Sequence, residues 1–194
     1  DEWIVRDQGA MVRQIGYSPK EFAQIMIDKD GGVDNAKKLF DKSDVKPSDY
    51  HPEDVRINSA GEKYSKILNR VFETSYDFSD YNRASSIYWP GNRLGHGRED
   101  IAKFWNSLKN IFTEIKFSIE HVGYLDEPNK NPRASIRWFL EGLHSNDSDD
   151  YGKKTNSKLF IMGINHVELN KDGIIREWVL FDEVAIWKQI LMNK

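Results

Sequence analysis

The most informative feature of the chain is a change in the period of its apolar residues. From Lys116 onward, apolar and polar positions alternate over 116–125, 134–143, 158–169 and 174–183, the period of two that sends successive side chains to opposite faces of a strand. The last two of these predicted strands are joined by Lys171-Asp172-Gly173, where glycine tolerates the positive φ of a hairpin turn. Before Lys116 the period is helical. Tyr64, Ile67, Leu68, Val71 and Phe72 fall at i, i+3, i+4, i+7 and i+8 behind a Ser59–Glu62 capping box. Ile101, Trp105, Leu108, Ile111 and Phe112 keep the same spacing after Gly97 and the acidic start Arg98-Glu99-Asp100. Between these two helices, 84–89 reads as a short strand ended by Pro90-Gly91; between the second and third of the four later strands, 145–157 reads as an acidic, glycine-bearing, mobile loop. Helix, strand, helix and four strands predict an α+β fold: a mostly antiparallel sheet carrying its helices on one face.

The first third of the chain is organised differently. Ser18, Pro19 and Glu21 supply an N-cap, a first-turn proline and a capping-box partner for a helix reaching about Asp28 through Phe22, Ile25 and Met26. Gly31-Gly32 stops it, a second short helix starts at Asp34, and a polar stretch holding Pro47 and Pro52 leads to Ser59. Ahead of these lies an internal repeat. Residues 2–15, EWIVRDQGAMVRQI, align without gaps against 177–190, EWVLFDEVAIWKQI, with six of fourteen positions identical. The repeat predicts that 1–16 is the tail of an upstream copy of the domain, with 17–58 a helical linker and 59–194 the main domain.

Charge and composition narrow the classes of partner. The 28 Lys and Arg against 31 Asp and Glu leave a net charge of −3 without a basic patch, which argues against a nucleic acid or an anionic membrane. No apolar run approaches the roughly 18 residues that span a bilayer, and a cytoplasmic location is the default. The absence of cysteine removes disulfides and thiolate chemistry. The five histidines lack metal-ligand spacing such as HxxxH with a carboxylate, so no metal is expected.

Several residues are candidates for a site. Asp182 lies four residues after Trp178, so on a strand the two share a face with Arg176 and Leu180. In an apolar pocket its acid would rise toward a useful general base. As a cap on the closing helix it would instead serve the backbone, and both readings stand at this stage. His144 and His166 could orient a substrate, His166 sharing parity with Phe160, Met162 and Ile164. His96, between two glycines, could approach a ligand closely, although Glu99 and Asp100 already complement that helix end. Trp89, Trp105, Trp138, Phe139 and Trp178 could line an apolar cavity or fill a core. Trp105 and Trp138 lean toward packing, and Trp178 toward the cavity.

Four segments in order carry a resemblance to a known family. They are Leu94-Gly95-His96-Gly97-Arg98-Glu99, the strand from Arg137 to His144, Lys171-Asp172-Gly173-Ile174, and Glu177-Trp178 followed by Asp182. Over about residues 60 to 190 the chain resembles the SnoaL-like branch of the NTF2-like superfamily. The resemblance implies a cone-shaped roll, a curved sheet packed with N-terminal helices around a pocket, with dimers formed through the outer sheet face. Its best-understood members cyclise polyketide esters by an intramolecular aldol reaction without metal or organic cofactor. In them a carboxylate at the position matching Asp182 acts as acid and base, and His144 matches the family's histidine after the long strand. The expectation is a cofactor-free cyclase-like protein acting on a small apolar carbonyl compound, with Asp182 and His144 catalytic. Trp178, His166, Phe139, Trp89, His96 and Trp105 would bind the substrate. The alternative is a non-catalytic small-molecule-binding or dimerising module.

Overall fold

The computed structural model of the protein describes residues 7–41, 59–73 and 75–194. Glu2 and Trp3 of the repeat, and Pro47 and Pro52 of the linker, lie outside the described residues. In chain order the elements are α1 (Gln8–Gln14), α2 (Pro19–Lys29), α3 (Val33–Asp41), α4 (Ser59–Glu73), β1 (Tyr81–Trp89), β2 (Arg93–His96), α5 (Gly97–Asn110), β3 (Phe112–Leu125), β4 (Arg133–His144), β5 (Lys158–Asn170), β6 (Gly173–Phe181) and α6 (Glu183–Met192). The α+β expectation holds. The strands form one sheet in the order β2-β1-β6-β5-β4-β3, antiparallel throughout except where β1 runs parallel to β6. Several details differ from the sequence pattern: α5 ends at Asn110, so Phe112 opens β3 instead of closing the helix, and β1 begins at Tyr81. The four-residue strand β2 was not predicted, because its one large apolar residue, Leu94, is 49% exposed and leaves no periodic signal. The last strand stops at Phe181 rather than at residue 183, because Asp182 opens a helix.

The sheet curves around α4 and α5. Tyr64, Ile67, Leu68, Val71 and Phe72 of α4 and Ile101, Phe104, Trp105 and Leu108 of α5 are buried against inward residues of the strands, among them Ile136, Trp138, Leu140, Leu159, Ile161, Val179 and Phe181. At the centre these side chains form a continuous aromatic cluster. Phe72 stacks on Phe117 at 4.3 Å and meets Trp105 edge-on at 5.7 Å, while Trp138 meets Phe181 edge-on at 6.2 Å. Gly163 faces Trp138 across the β4–β5 ladder, and its missing side chain makes room for the indole. Space that a cone-shaped roll can leave open is thus filled by rings.

The capping box at Ser18 and Glu21 forms as predicted and starts α2. Helices α1, α2 and α3 pack away from the sheet on the outer side of α6, through Val12, Ala23, Val184 and Trp187 in one cluster and Ile27, Ala36 and Met192 in another. Helix α6 in turn closes the edge of β5 that β6 leaves free. Beyond the Phe181–Gly163 pair, the side-chain amide of Gln189 accepts from the Phe160 N–H at 2.8 Å and donates to its carbonyl at 2.9 Å, standing in for a strand. The 145–157 loop, expected to be mobile, is tied by reciprocal Ser148–Gly152 backbone bonds, by Lys153 and Lys154 on Asp147, and by the buried Tyr151.

Replacing Gly163 by alanine would drive a β-carbon into a fully buried, hydrogen-bonded indole that has no free volume to enter. Gly163→Ala is expected to destabilise the fold by about 1–3 kcal/mol, read as a lower denaturation midpoint, and the double variant with Trp138→Phe should recover part of that loss.

Candidate functional site

The inner face of β6 carries Glu177, Val179 and Phe181; Arg176, Trp178 and Leu180 point outward. This corrects the expected parity. Trp178 does not face a cavity: it is 39% exposed and stacks on Tyr88 at 5.7 Å on the outer side of the sheet. His166 lies beside it on the same outer face, opposite Trp178 and Ser135 in register, and Phe139 is also outward, covered by Phe160 at 5.9 Å. His96 ends β2, with its N–H donated to Asp100 Oδ2 at 2.8 Å and its ring Nδ1 3.2 Å from Ser86 Oγ. Trp105 is buried in the core, and Trp89 is half-buried against Phe104 at 5.1 Å. The six expected binding residues are therefore spread over the core and two separate surfaces.

Asp182 and His144 are not brought together either. Asp182 is the N-cap of α6, its Oδ1 accepting from Val184 N at 2.8 Å and Ala185 N at 3.2 Å. Burial pushes its acid above the ordinary carboxylate value; the two helix N–H groups oppose that shift, and the nearby charges of Asp7 and Glu183 reinforce it. Asp182 lies level with Met162 and Phe139 in the sheet register, whereas His144 is five residues further along β4, about 17 Å at the rise of a strand. His144 is fully buried. Its Nδ1 is 3.3 Å from Thr155 Oγ1, its Nε2 has no partner among the described residues, and burial lowers its pKa.

Two features that the sequence did not single out dominate the geometry. The first is Glu177, fully buried on the inner face of β6. Its Oε1 accepts from the Tyr64 hydroxyl and from Asn165 Nδ2 at 2.9 Å; its Oε2 accepts from the Tyr81 hydroxyl at 2.8 Å and from Trp105 Nε1 at 3.4 Å. Asn165 also donates to the Tyr64 oxygen at 2.5 Å and accepts from Trp138 Nε1 at 2.7 Å. Burial raises the Glu177 acid above its ordinary value, opposed by its hydrogen-bond donors, and burial beside Glu177 raises both tyrosines. With four donors on two oxygens and rings around them, the carboxylate has no lone pair left for a ligand.

The second feature is an open cleft along α5. One hollow of about 390 Å³ lies between Trp89, Arg93, Leu94, Phe104, Ser107 and Tyr151. A second, of about 550 Å³, adjoins it between α5 and the 145–157 loop, and Lys103, Ser107 and Asp150 line both. Arg93 lies over the Trp89 ring at 5.8 Å and bonds Glu183 Oε1 at 2.6 Å, with Asp150 at 3.4 Å. Glu183 is itself buried and takes a second arginine, Arg13 of α1, on its other oxygen at 2.6 Å. Of the residues expected to bind a ligand, Trp89 alone lines this cleft. Trp89 was legible as an aromatic beside a turn, whereas Lys103 and Tyr151 are ordinary surface and loop residues in the sequence. No helix among the described residues is long and apolar enough to cross a membrane.

No protein-family model and no curated protein sequence matches the chain. Solved structures do. A SnoaL-like polyketide cyclase from Agrobacterium tumefaciens superposes with a TM-score of 0.52 at 14% identity, covering 69% of this chain and 99% of that one. A protein from Shewanella putrefaciens, described as a candidate SnoaL-like polyketide cyclase, gives a TM-score of 0.56 at 16% identity over 75% of this chain and 99% of its own. IdmH from Streptomyces antibioticus, described as a candidate polyketide cyclase, gives 0.54 at 12% identity over 69% and 99%. At such identities the likeness speaks for architecture alone, and the fold of this chain is the SnoaL-like, NTF2-like α+β roll.

Proposed function

We propose that the chain is a small-molecule-binding module of SnoaL-like fold, with its ligand site in the cleft along α5 and not on the axis of the cone. The observation that carries this reading is the state of the two central carboxylates. Glu177 has both oxygens used by four buried donors, and Asp182 is committed to the first turn of α6. Neither is among the residues that line the cleft, and the cleft joins a flat apolar wall of Trp89, Phe104 and Leu94 to the polar groups of Arg93, Lys103, Ser107 and Tyr151. Such a site fits a flat, mostly apolar molecule with one or two polar substituents. The homodimer belongs to the same proposal. Its surface would be the outer sheet face, where the stacked Tyr88 and Trp178 are each 39% exposed.

A second reading is the cofactor-free cyclase. It is favoured by the raised acid of Asp182, which suits a proton acceptor better than an ordinary aspartate does, and by the description of the Agrobacterium neighbour. One titration separates the two readings. With 8-anilinonaphthalene-1-sulfonate as a flat anionic probe, shift changes are expected at Trp89, Lys103 and Tyr151, with affinity falling about tenfold or more in Trp89→Ala, a loss of about 1.4 kcal/mol, and unchanged in Asp182→Asn. Turnover of a β-keto ester that disappears in Asp182→Asn would instead establish acid/base chemistry there.

The role assigned to Glu177 has a pH signature. A carboxyl whose folded pKa lies above its unfolded value near 4.5 contributes stability that is full below that value and lost as pH rises through the folded one. His144 and His166, shifted downward, act in the opposite direction, so the informative quantity is the difference between wild type and Glu177→Gln. The melting temperature of Glu177→Gln relative to wild type is expected to climb as pH rises above about 4.5. Glu177→Leu, which strands the donors of Tyr64, Tyr81, Trp105 and Asn165, should cost about 3–5 kcal/mol at neutral pH. A Glu177→Gln difference flat from pH 4 to 8 would show that burial does not shift this group.

A further inference from the structure

Helices α1 and α6 are the two copies of the sequence repeat, and they face each other with equivalent positions. In the gapless alignment Gly9 matches Val184 and Val12 matches Trp187, and these positions lie where the two helices meet, around the buried Val12–Ala23–Val184 cluster. Each helix is opened by the matched aspartate: Asp7 caps Ala10 N at 2.7 Å, and Asp182 caps Val184 and Ala185. The faces turned away from this contact are equivalent as well. On α6 that face is Ile186, Gln189 and Ile190, all buried against the sheet, with the Gln189 amide closing the backbone of β5 at Phe160. On α1 the same three positions are Met11, Gln14 and Ile15. Glutamine and isoleucine are identical, yet Met11 is 52% and Ile15 62% exposed, and Gln14 is exposed with no hydrogen bond among the described residues.

We infer that the Met11–Gln14–Ile15 face of α1 is a docking surface for the strand edge of another SnoaL-like sheet, and that its occupant is a further copy of this fold placed before α1 in the polypeptide. The chemistry selects the occupant. An exposed methionine and isoleucine one helical turn apart would fit any apolar groove, but the glutamine between them is the group that, in the other copy, supplies one donor and one acceptor to an unpaired strand residue. The match continues ahead of the helix in the sequence, Glu2-Trp3 against Glu177-Trp178, so the two copies agree beyond the helical residues. Helix α1 would then close one sheet with one face while its other face, through Val12 and Arg13, holds α6 of the next. This places two cones back to back across a shared pair of helices.

The test uses the natural polypeptide, read and expressed from its own start. A SnoaL-like copy ending at α1 is expected in the reading frame before Asp1, with slow backbone hydrogen exchange over residues 11–15. Met11→Asp with Ile15→Asp should lower the melting transition of that preceding copy by several degrees and leave the transition of residues 59–194 in place. Gln14→Leu, which keeps the apolar area but cannot bond a strand, should give a smaller drop in the same transition. A reading frame without such a copy, fast exchange over 11–15, or Asp variants that leave the preceding copy's transition unmoved would each overturn the inference.

Discussion

A carboxylate at the centre of an apolar core is tolerable only when its lone pairs are used, and Glu177 sets that condition for the whole cone. Its four donors come from four elements: Tyr64 from α4, Tyr81 from β1, Trp105 from α5 and Asn165 from β5. Apolar packing alone would let α4 and α5 slide along the sheet at modest cost, because rings and aliphatic chains accept many registers. A shift by one helical turn would take Tyr64 or Trp105 away from Glu177 and leave a buried charge short of a partner. The network therefore acts as a register pin. Trp138 extends it by fixing Asn165, and the same indole demands glycine at 163. Polar specificity and steric fit meet in one side chain.

The closing segment carries a second constraint. Glu183 is buried and sits between two arginines, Arg13 from α1 and Arg93 from β2. Arg93 also reaches Asp150 in the 145–157 loop and lies over Trp89, so the walls of the cleft along α5 are tied through one guanidinium to α6 and, through Glu183, to α1. Losing either arginine would leave this buried carboxylate with half its compensation. The shape of the cleft thus depends on how the N-terminal helices dock, although none of them lines it.

Much of this architecture was legible in the sequence, and the exceptions have physical reasons. The amphipathic stripe of α4, the capping box of α2 and the Lys171-Asp172-Gly173 hairpin announce themselves because each rests on local chemistry. The inward face of β6 did not, because both of its parities are apolar: Trp178 and Leu180 on one, Val179 and Phe181 on the other. A tryptophan outweighs a glutamate in any hydropathy reading, and so Trp178 and not Glu177 was read toward the cavity. The neighbouring strand held the missing signal. Leu159, Ile161, Val167 and Leu169 mark the inward parity of β5, and Asn165 falls on it, a buried amide that requires polar company across the sheet. The cleft was beyond reach for another reason, since it forms where β2, α5 and a loop from far along the chain converge, and no local pattern records that meeting.

The recurrence of aspartate in the repeat can now be given a cause that involves no reaction. Asp7 and Asp182 both precede a helix and accept its first free N–H groups, and Asp7 additionally takes the Gly91 N–H at 2.9 Å. The first N–H groups of a helix have no partner within it, so a duplicated helix start keeps its aspartate for capping alone. Chemistry at Asp182 would ask more of it: one oxygen for the helix and the other for a proton, at a point where burial already disfavours its charge. The cap uses Oδ1 for both helix bonds. Structural duty and a raised acid are therefore compatible in one carboxyl group, and what separates the readings is access of a substrate to Oδ2 rather than the identity of the residue.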